Sequence, residues 1–185
     1  MARVVQPFVP YRQGEFDGLC GMYAIINAIS ALAPELDQAT ARTLFRHLAR
    51  HVQSIEQPLP VVAYGMGGSS VRDLLRVAQR YVRKRLNVQI AMERPFRLRR
   101  DSRLGQLWDT LRSELDAEQV AIFAIEGVYA HWTVAYRLTP KRIRLLDSGH
   151  RQMLLRSRCT LRPTEVRFRI VPREIMLLRR CETEW

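Results

Sequence analysis

Cysteine is scarce in this chain of 185 residues, and the three cysteines, Cys20, Cys159 and Cys181, stand far apart. There is no CxxC pair and no cluster of cysteine with histidine, which argues against a disulfide framework or a structural zinc site. We therefore expect no zinc site. A reducing location, the cytoplasm, fits this composition best. Secretion as an effector, by a route that needs no signal peptide, is the alternative.

Long apolar runs and acidic residues are also lacking. No apolar stretch reaches the roughly 18 residues of a transmembrane helix, and the first residues lack the apolar segment of a signal peptide, so we expect no membrane span. Aspartate and glutamate total 18 against 30 lysines and arginines, a net charge of +12. Such a charge either attracts nucleic acid, acidic protein surfaces or anionic lipid, or reflects only a solvated, arginine-rich face, which is the favoured interpretation. Because the arginines form small dispersed clusters, such as 83–85 and 97–100, without a nucleic-acid-binding motif, nucleic acid is the less favoured partner.

Hydrophobic residues make up 47% of the chain, enough for one globular domain over residues 1–185. Helical spacing and capping residues predict four helices, and apolar runs with alternation predict strands, mostly in the second half. The predicted helices are 20–33, 38–54, 71–82 and 102–115, with Asp37 and Ser70 as the caps of the second and third and a loop over 55–69. The predicted strands are 88–92, 120–125, 131–138, 142–146, 153–156, 166–171 and 175–178. Because the helices lead and the strands follow, the predicted fold class is α+β, with N-terminal helices packed on a C-terminal, mainly antiparallel sheet.

Cys20 lies in the segment QGEFDGLCGMYAIINAI, where turn-forming residues lead directly into an apolar helix. Nucleophilic attack requires a thiolate, and the free N–H groups and the dipole of a helix N-terminus stabilise such an anion. Gly18 and Gly21 would let a substrate backbone approach without a side-chain clash. Taken alone, this pattern fits a buried structural cysteine equally well.

A nucleophilic cysteine also needs a base, and His131 is the best candidate among four histidines. It opens the predicted strand AHWTVAY, and Asp147 follows the next predicted strand in RIRLLDSGH. A hairpin brings the start of one strand beside the end of the next, so Asp147 would accept a hydrogen bond from His131 and fix its tautomer. The alternative role for Asp147 is that of a turn residue. His47 and His51, one helical turn apart, lack the acidic partner of a metal site. His150, which follows a glycine in a predicted loop, is the alternative base.

Gln13 is the candidate for a fourth role. Its side-chain amide would join the backbone N–H of Cys20 in stabilising the negative oxygen that develops when a thiolate attacks a carbonyl group. A single glutamine is normally a surface residue, so the inference depends on its position just upstream of the Gly-x-Cys-Gly turn.

The order of Gln13, Cys20 in LCGMYAIINAI, His131 in HWTVAY and Asp147 in LLDS resembles the papain-like cysteine peptidase superfamily. The chain is most similar to compact bacterial members such as bacteriocin-processing peptidases, and it shares features with Josephin-type deubiquitinases. The resemblance implies a papain-like fold in which the nucleophile begins a central buried helix. It also implies a catalytic triad of cysteine, histidine and aspartate with a glutamine oxyanion donor.

The resemblance further implies a cysteine peptidase, a thiol hydrolase that cleaves a peptide or isopeptide bond in a peptide or protein substrate and requires neither a metal nor an organic cofactor. The basic surface favours substrates with acidic segments. The same residues would support deamidation or acyl transfer by a toxin or effector, and a non-catalytic basic binding module on the same scaffold is a further alternative. Trp132 is either a core residue or a shield for the bond between His131 and Asp147. The segment from Tyr64 to Ser69 would border the cleft as a lid.

Overall fold

A computed structural model describes residues 8–14, 17–96, 103–116 and 119–181. The helices are α1 (Cys20–Leu32), α2 (Gln38–Ile55), α3 (Pro58–Tyr64), α4 (Gly68–Leu86) and α5 (Leu104–Asp116). The strands are β1 (Gln89–Glu93), β2 (Val120–Gly127), β3 (His131–Leu138), β4 (Arg142–Leu145), β5 (Met153–Leu155), β6 (Cys159–Thr160), β7 (Phe168–Ile170) and β8 (Met176–Cys181). The predicted arginine cluster at 97–100 lies outside the described residues.

The helices begin and end where the sequence supplies a suitable residue. The Asp37 carboxylate caps α2 by accepting a hydrogen bond from the Thr40 N–H at 2.7 Å. Helix α4 is followed by Asn87, whose φ of 54° is the left-handed conformation that commonly ends a helix. Ten of the thirteen residues of α1 are buried, which confirms the predicted central buried helix.

The prediction of a loop over residues 55–69 is wrong, because α3 occupies its middle. Two prolines suggested a loop, but a proline at the first helical position lacks only an N–H that a helix leaves unpaired there. Pro58 therefore begins α3. Gly65 follows the helix with a φ of 83°, which favours glycine. Helix α4 then begins at Gly68, earlier than the predicted cap at Ser70.

The strands form a sheet in the order β1–β8–β2–β3–β4–β5, with β7 pairing with both β2 and β6. The pairs are antiparallel except for β6 with β7, so the prediction of a mainly antiparallel sheet is confirmed. Strand β1, which precedes α5 in the chain, joins the far edge through β8, with Gln89 opposite Cys181. Strands β3 and β4 form the predicted hairpin, with Ala135 opposite Leu145.

The two faces of the sheet are covered by different helices. Alternate residues of β2 divide between two cores, because successive side chains of a strand point to opposite faces: Val120, Ile122 and Ala124 pack with α1, α2 and α4, whereas Ala121, Phe123 and Ile125 pack with α5. The fold is α+β, as predicted, and the position of α5 is a detail that the order of elements does not predict. Among the described residues, no helix combines the length and hydropathy needed to cross a bilayer.

Candidate active site

Cys20 is the first residue of α1, and 8% of its surface is exposed. The turn before it is held by the Asp17 carboxylate, which accepts hydrogen bonds from the backbone N–H groups of Leu19 at 3.0 Å and Gly14 at 2.8 Å. The backbone N–H of Trp132, in β3, points to the Cys20 sulfur at 3.4 Å. The sulfur therefore lies where the positive end of a helix dipole and a strand N–H both favour negative charge.

Gly18 and Gly21 serve internal packing in this structure. A Cβ atom at Gly18 would lie 2.5 Å from the backbone nitrogen of Gly65. A Cβ atom at Gly21 would lie 2.8 Å from a methyl group of Val71 and 3.1 Å from Met66. Both positions exclude larger side chains because α3, α4 and the connection between them pack against the start of α1, which is a different reason from the predicted approach of a substrate.

His131 and Asp147 meet as predicted. His131 is the first residue of β3, and Asp147 lies two residues after β4, so the antiparallel hairpin brings them together. The His131 Nε2 atom lies 2.8 Å from the Asp147 Oδ2 atom, and both side chains are buried. The second carboxylate oxygen, Oδ1, accepts from the backbone N–H groups of Gly149 at 2.8 Å and Arg151 at 3.0 Å. Asp147 is thus both part of a turn and a partner of the histidine.

The electrostatics of this pair favour an imidazolium. Burial alone would lower the pKa of His131, but hydrogen bonds to Asp147 and Cys20, together with the charges of both, raise it to about 9. Burial works to raise the pKa of Asp147, but the hydrogen bond and charge of His131 lower it overall. Because Nε2 is hydrogen-bonded to Asp147, the other ring nitrogen, Nδ1, is the one left to interact with Cys20.

Thr133 is a further buried neighbour of the aspartate. It lies two residues after His131 on the same face of β3, and its hydroxyl contributes to the lowered pKa of Asp147. The same hydroxyl makes no hydrogen bond of ordinary geometry within the described part of the chain. Its proximity to the carboxylate is therefore a weak electrostatic contact, and the strong contacts of Asp147 are those to His131 and the two backbone N–H groups.

Gln13 lies beside the site but is engaged elsewhere. Its amide nitrogen donates to the Asp17 carbonyl at 2.8 Å, and its amide oxygen accepts from the Ser148 hydroxyl at 3.0 Å. Its backbone N–H also points to the Ser148 carbonyl at 3.3 Å. One amide hydrogen is left for another acceptor, so the role of Gln13 as an oxyanion donor stays a prediction. What the contacts establish is that Gln13 joins the N-terminal segment to the turn that carries Asp147.

Trp132 packs in the core on the α1 side of the sheet, which is the first of its two predicted roles. Its indole N–H donates to the Met66 carbonyl at 3.0 Å. This bond ties the predicted lid segment, Tyr64 to Ser69, to the strand that carries His131. Tyr64 is 90% exposed, whereas Met66 is 8% exposed, so the part of this segment next to Trp132 is a packed wall of the site.

Two residues of the site, Tyr129 and Arg151, were not predicted. The Tyr129 ring lies 5.3 Å from the His131 ring, and its hydroxyl accepts from the Arg151 Nε atom at 3.1 Å. The Arg151 guanidinium lies over the rings of Tyr129 and Phe168, at 5.3 and 4.6 Å from their centres. Burial raises the pKa of Tyr129; the Arg151 hydrogen bond opposes this, and the charges of Asp147 and Cys20 add to it. Tyr129 lies in the turn before His131, and Arg151 follows the turn after Asp147. Neither position carries a residue spacing that would have pointed to the site.

The remaining candidates lie apart from this cluster. His47 stacks near Tyr81, and His51 contacts Ser54, on the exposed part of α2. In the described ranges, no three histidine, cysteine, aspartate or glutamate side chains come close enough together to hold a metal ion. Cys159 is buried, and burial raises the pKa of its thiol to about 12.

Comparisons with protein-family models, with curated proteins and with solved structures found no match. The function is therefore argued from the geometry of Cys20, His131 and Asp147, which come together from two distant parts of the chain. Such an arrangement can generate a nucleophilic sulfur and return a proton to a leaving group.

Proposed function

We propose that the protein is a cysteine peptidase of the papain-like type that cleaves a peptide or isopeptide bond in a protein substrate. The Cys20 thiolate attacks the carbonyl carbon, and the carbonyl π electrons move to the oxygen. The His131 imidazolium gives its Nδ1 proton to the leaving amine as the C–N bond breaks. Neutral His131 then takes a proton from water, whose oxygen attacks the thioester and releases the carboxylic acid and the Cys20 sulfur.

The single observation that carries this proposal is the position of the His131 ring between two partners. Its Nε2 atom is 2.8 Å from Asp147, and its interaction with Cys20 is one of the causes that raise the pKa of His131 to about 9. A nucleophile, a base and a third group that orients the base are the elements of a catalytic triad. Core packing alone does not require a buried carboxylate against a buried histidine.

Stabilisation of the oxyanion is assigned to the start of α1. The first N–H groups of a helix have no partner within the helix, and the Cys20 N–H belongs to this set. Gln13 is the second proposed donor, through the amide hydrogen that Asp17 does not take. Donors of this kind lower the barrier by about 3 kcal/mol each.

Deamidation and acyl transfer use the same first half-reaction and differ in the bond broken or in the acceptor of the acyl group. A panel of electrophiles distinguishes these substrate classes: one peptidyl, one ubiquitin-tailed and one glutamine-based. We expect one covalent adduct per chain, measured as an intact-mass increase, with the peptidyl or ubiquitin-tailed electrophile. A preference for the glutamine-based electrophile would favour deamidation.

Two matched variants locate the adduct. Cys20→Ala should abolish it, whereas Cys181→Ala, which removes a cysteine at the end of β8, should leave it unchanged. An adduct that survives in Cys20→Ala, or the absence of any adduct with all three electrophiles, would contradict the proposal. The second result would leave the alternative of a basic binding module.

A further inference from the structure

A cavity of about 310 Å³ lies between α1 and α2. Tyr23 and Ile26 of α1 form one side, Phe45 and Ala41 of α2 form another, and Tyr11 of the N-terminal segment forms the third. A cavity of this size is at the lower end of the range for small-ligand sites. Its floor is apolar and aromatic, so it fits one apolar side chain of a peptide better than an extended polar chain.

The N-terminal wall of this cavity is fixed by a buried amide. Asn27, with no exposed surface, accepts from the Tyr11 N–H at 2.8 Å and donates to the Tyr11 carbonyl at 3.1 Å. Arg12 alone separates Tyr11 from Gln13, whose side chain contacts Ser148 beside Asp147. The wall of the cavity is therefore continuous with the candidate active site.

The rim of the cavity carries three arginines, Arg12, Arg42 and Arg46. Arg42 and Arg46 lie one turn apart on the same face of α2. All three are exposed, and none forms an ion pair within the described ranges, whereas Arg72 and Arg180 each pair with a glutamate. Guanidinium groups bind carboxylates through two parallel hydrogen bonds. A positive rim around an apolar floor is complementary to an apolar side chain flanked by carboxylates.

The aromatic groups favour an aliphatic or aromatic side chain over a nucleobase. The Tyr23 and Phe45 rings lie 5.0 Å apart with 52° between their planes, so they pack against each other and leave no slot between parallel faces. Recognition of single-stranded nucleic acid instead uses open aromatic faces on which successive bases stack.

We propose that this cavity, which we call the α1–α2 pocket, docks an acidic protein segment with one apolar side chain against Tyr23 and Phe45. The docking proposal depends only on the residues that line the α1–α2 pocket. The further step, that the docked segment belongs to the substrate, rests on the proposed function. Tyr23 lies three residues beyond Cys20 on α1, a rise of about 4.5 Å. On this spacing, we expect the docked side chain to lie within a few extended residues, at about 3.3 Å each, of the bond that Cys20 attacks.

The test is calorimetric titration of the full chain with blocked pentapeptides of sequence EEFEE, EEAEE and KKFKK. We expect EEFEE to bind best, EEAEE about tenfold more weakly because the apolar side chain is lost, and KKFKK not to bind measurably. The double variant Arg42→Glu/Arg46→Glu should weaken EEFEE binding about tenfold or more, because two cations at the rim become anions.

The control is Arg83→Glu/Arg85→Glu, which changes the net charge equally at the exposed last turn of α4. We expect it to alter EEFEE binding less than about twofold, because neither Arg83 nor Arg85 lines the cavity. Equal weakening by both double variants would overturn the proposal, since it would mean general attraction by the net charge. Absence of EEFEE binding, or tighter binding of an oligothymidine of five nucleotides, would also overturn it.

Alkylation of Cys20, measured in the same proteins, distinguishes this proposal from the proposed function. If Cys20 is reactive but EEFEE does not bind, only the docking proposal for the α1–α2 pocket is contradicted. If EEFEE binds but Cys20 is unreactive, the docking proposal is retained and the proposed peptidase function is contradicted. Arg42→Gln/Arg46→Gln replaces the charge-reversal variant if the latter does not fold, with a smaller loss of binding expected.

Discussion

The protonation of His131 is the property of a single residue on which the proposed chemistry depends. Its pKa of about 9 exceeds the ordinary value of 6.5, so the imidazolium dominates below about pH 9 and provides a counter-ion and a proton. Above that pH the proton is lost, and with it the acid that serves the leaving group. We expect turnover to fall as pH rises through 9, and an NMR titration of the His131 ring to show the same midpoint.

Asp147→Asn should lower this midpoint by about 1 to 3 pH units, because the amide keeps an oxygen acceptor but loses the negative charge that stabilises the imidazolium. Asp73→Asn, which removes an aspartate paired with Arg76 on α4, is the matched control and should leave the titration of His131 unchanged. A midpoint near 6.5 in the unmodified protein would show that Asp147 and Cys20 do not stabilise the charged ring.

At this scale the sequence predicts which residues meet when their positions follow from the order of helices and strands along the chain. Cys20, His131 and Asp147 were predicted as neighbours, because the helix start at Cys20 and the hairpin between His131 and Asp147 can both be recognised from local sequence patterns. The structure brings the three residues together. Tyr129 and Arg151 were missed because they join the site through ring contacts and one side-chain hydrogen bond across a turn. Such contacts depend on side-chain directions, which residue spacing does not encode.

At the scale of elements, the position of the N-terminal segment depends on α1. Asn27→Ala would leave the Tyr11 N–H and carbonyl without their present partners. Unsatisfied buried polar groups are costly, so we expect the free energy of unfolding in urea to fall by about 2 kcal/mol. Gln53→Ala, at an exposed position of α2, should change it by less than about 0.5 kcal/mol. Equal effects of the two substitutions would contradict the anchoring role of Asn27.

Long periodic elements were predicted best, and short ones least well. Asp37 and the apolar spacing of α2 predict that helix closely, because its cap and its buried face are both local signals. Helix α3 was missed because its prolines resemble those of a loop. Strand β6, of two residues, was missed, because it exists through its pairing with β7 and so short a segment has little periodicity of its own. Strand β7, of three residues, lies within the predicted strand 166–171, which extends beyond it at both ends.

At the scale of the whole molecule, ion pairs join distant parts of the chain. Arg72 of α4 pairs with Glu174 at 2.7 Å, Arg180 of β8 with Glu35 at 2.9 Å, and Arg179 with Glu93 of β1 at 3.3 Å. Part of the high arginine content is therefore used in ion pairs within the protein. The sheet order, in which β8 lies between β1 and β2, was not predicted, because it depends on which distant strands pair and not on the pattern within each strand.

The most direct test of a reactive Cys20 is its rate of alkylation by iodoacetamide at pH 6, measured by mass spectrometry on all three cysteines. We predict that Cys20 reacts at least about tenfold faster than Cys181, while buried Cys159, whose pKa is raised to about 12, stays unmodified. His131→Ala should reduce the Cys20 rate to about that of Cys181. Equally slow modification of Cys20 and Cys181 in the unmodified protein would contradict the account and leave an α+β domain without a nucleophile.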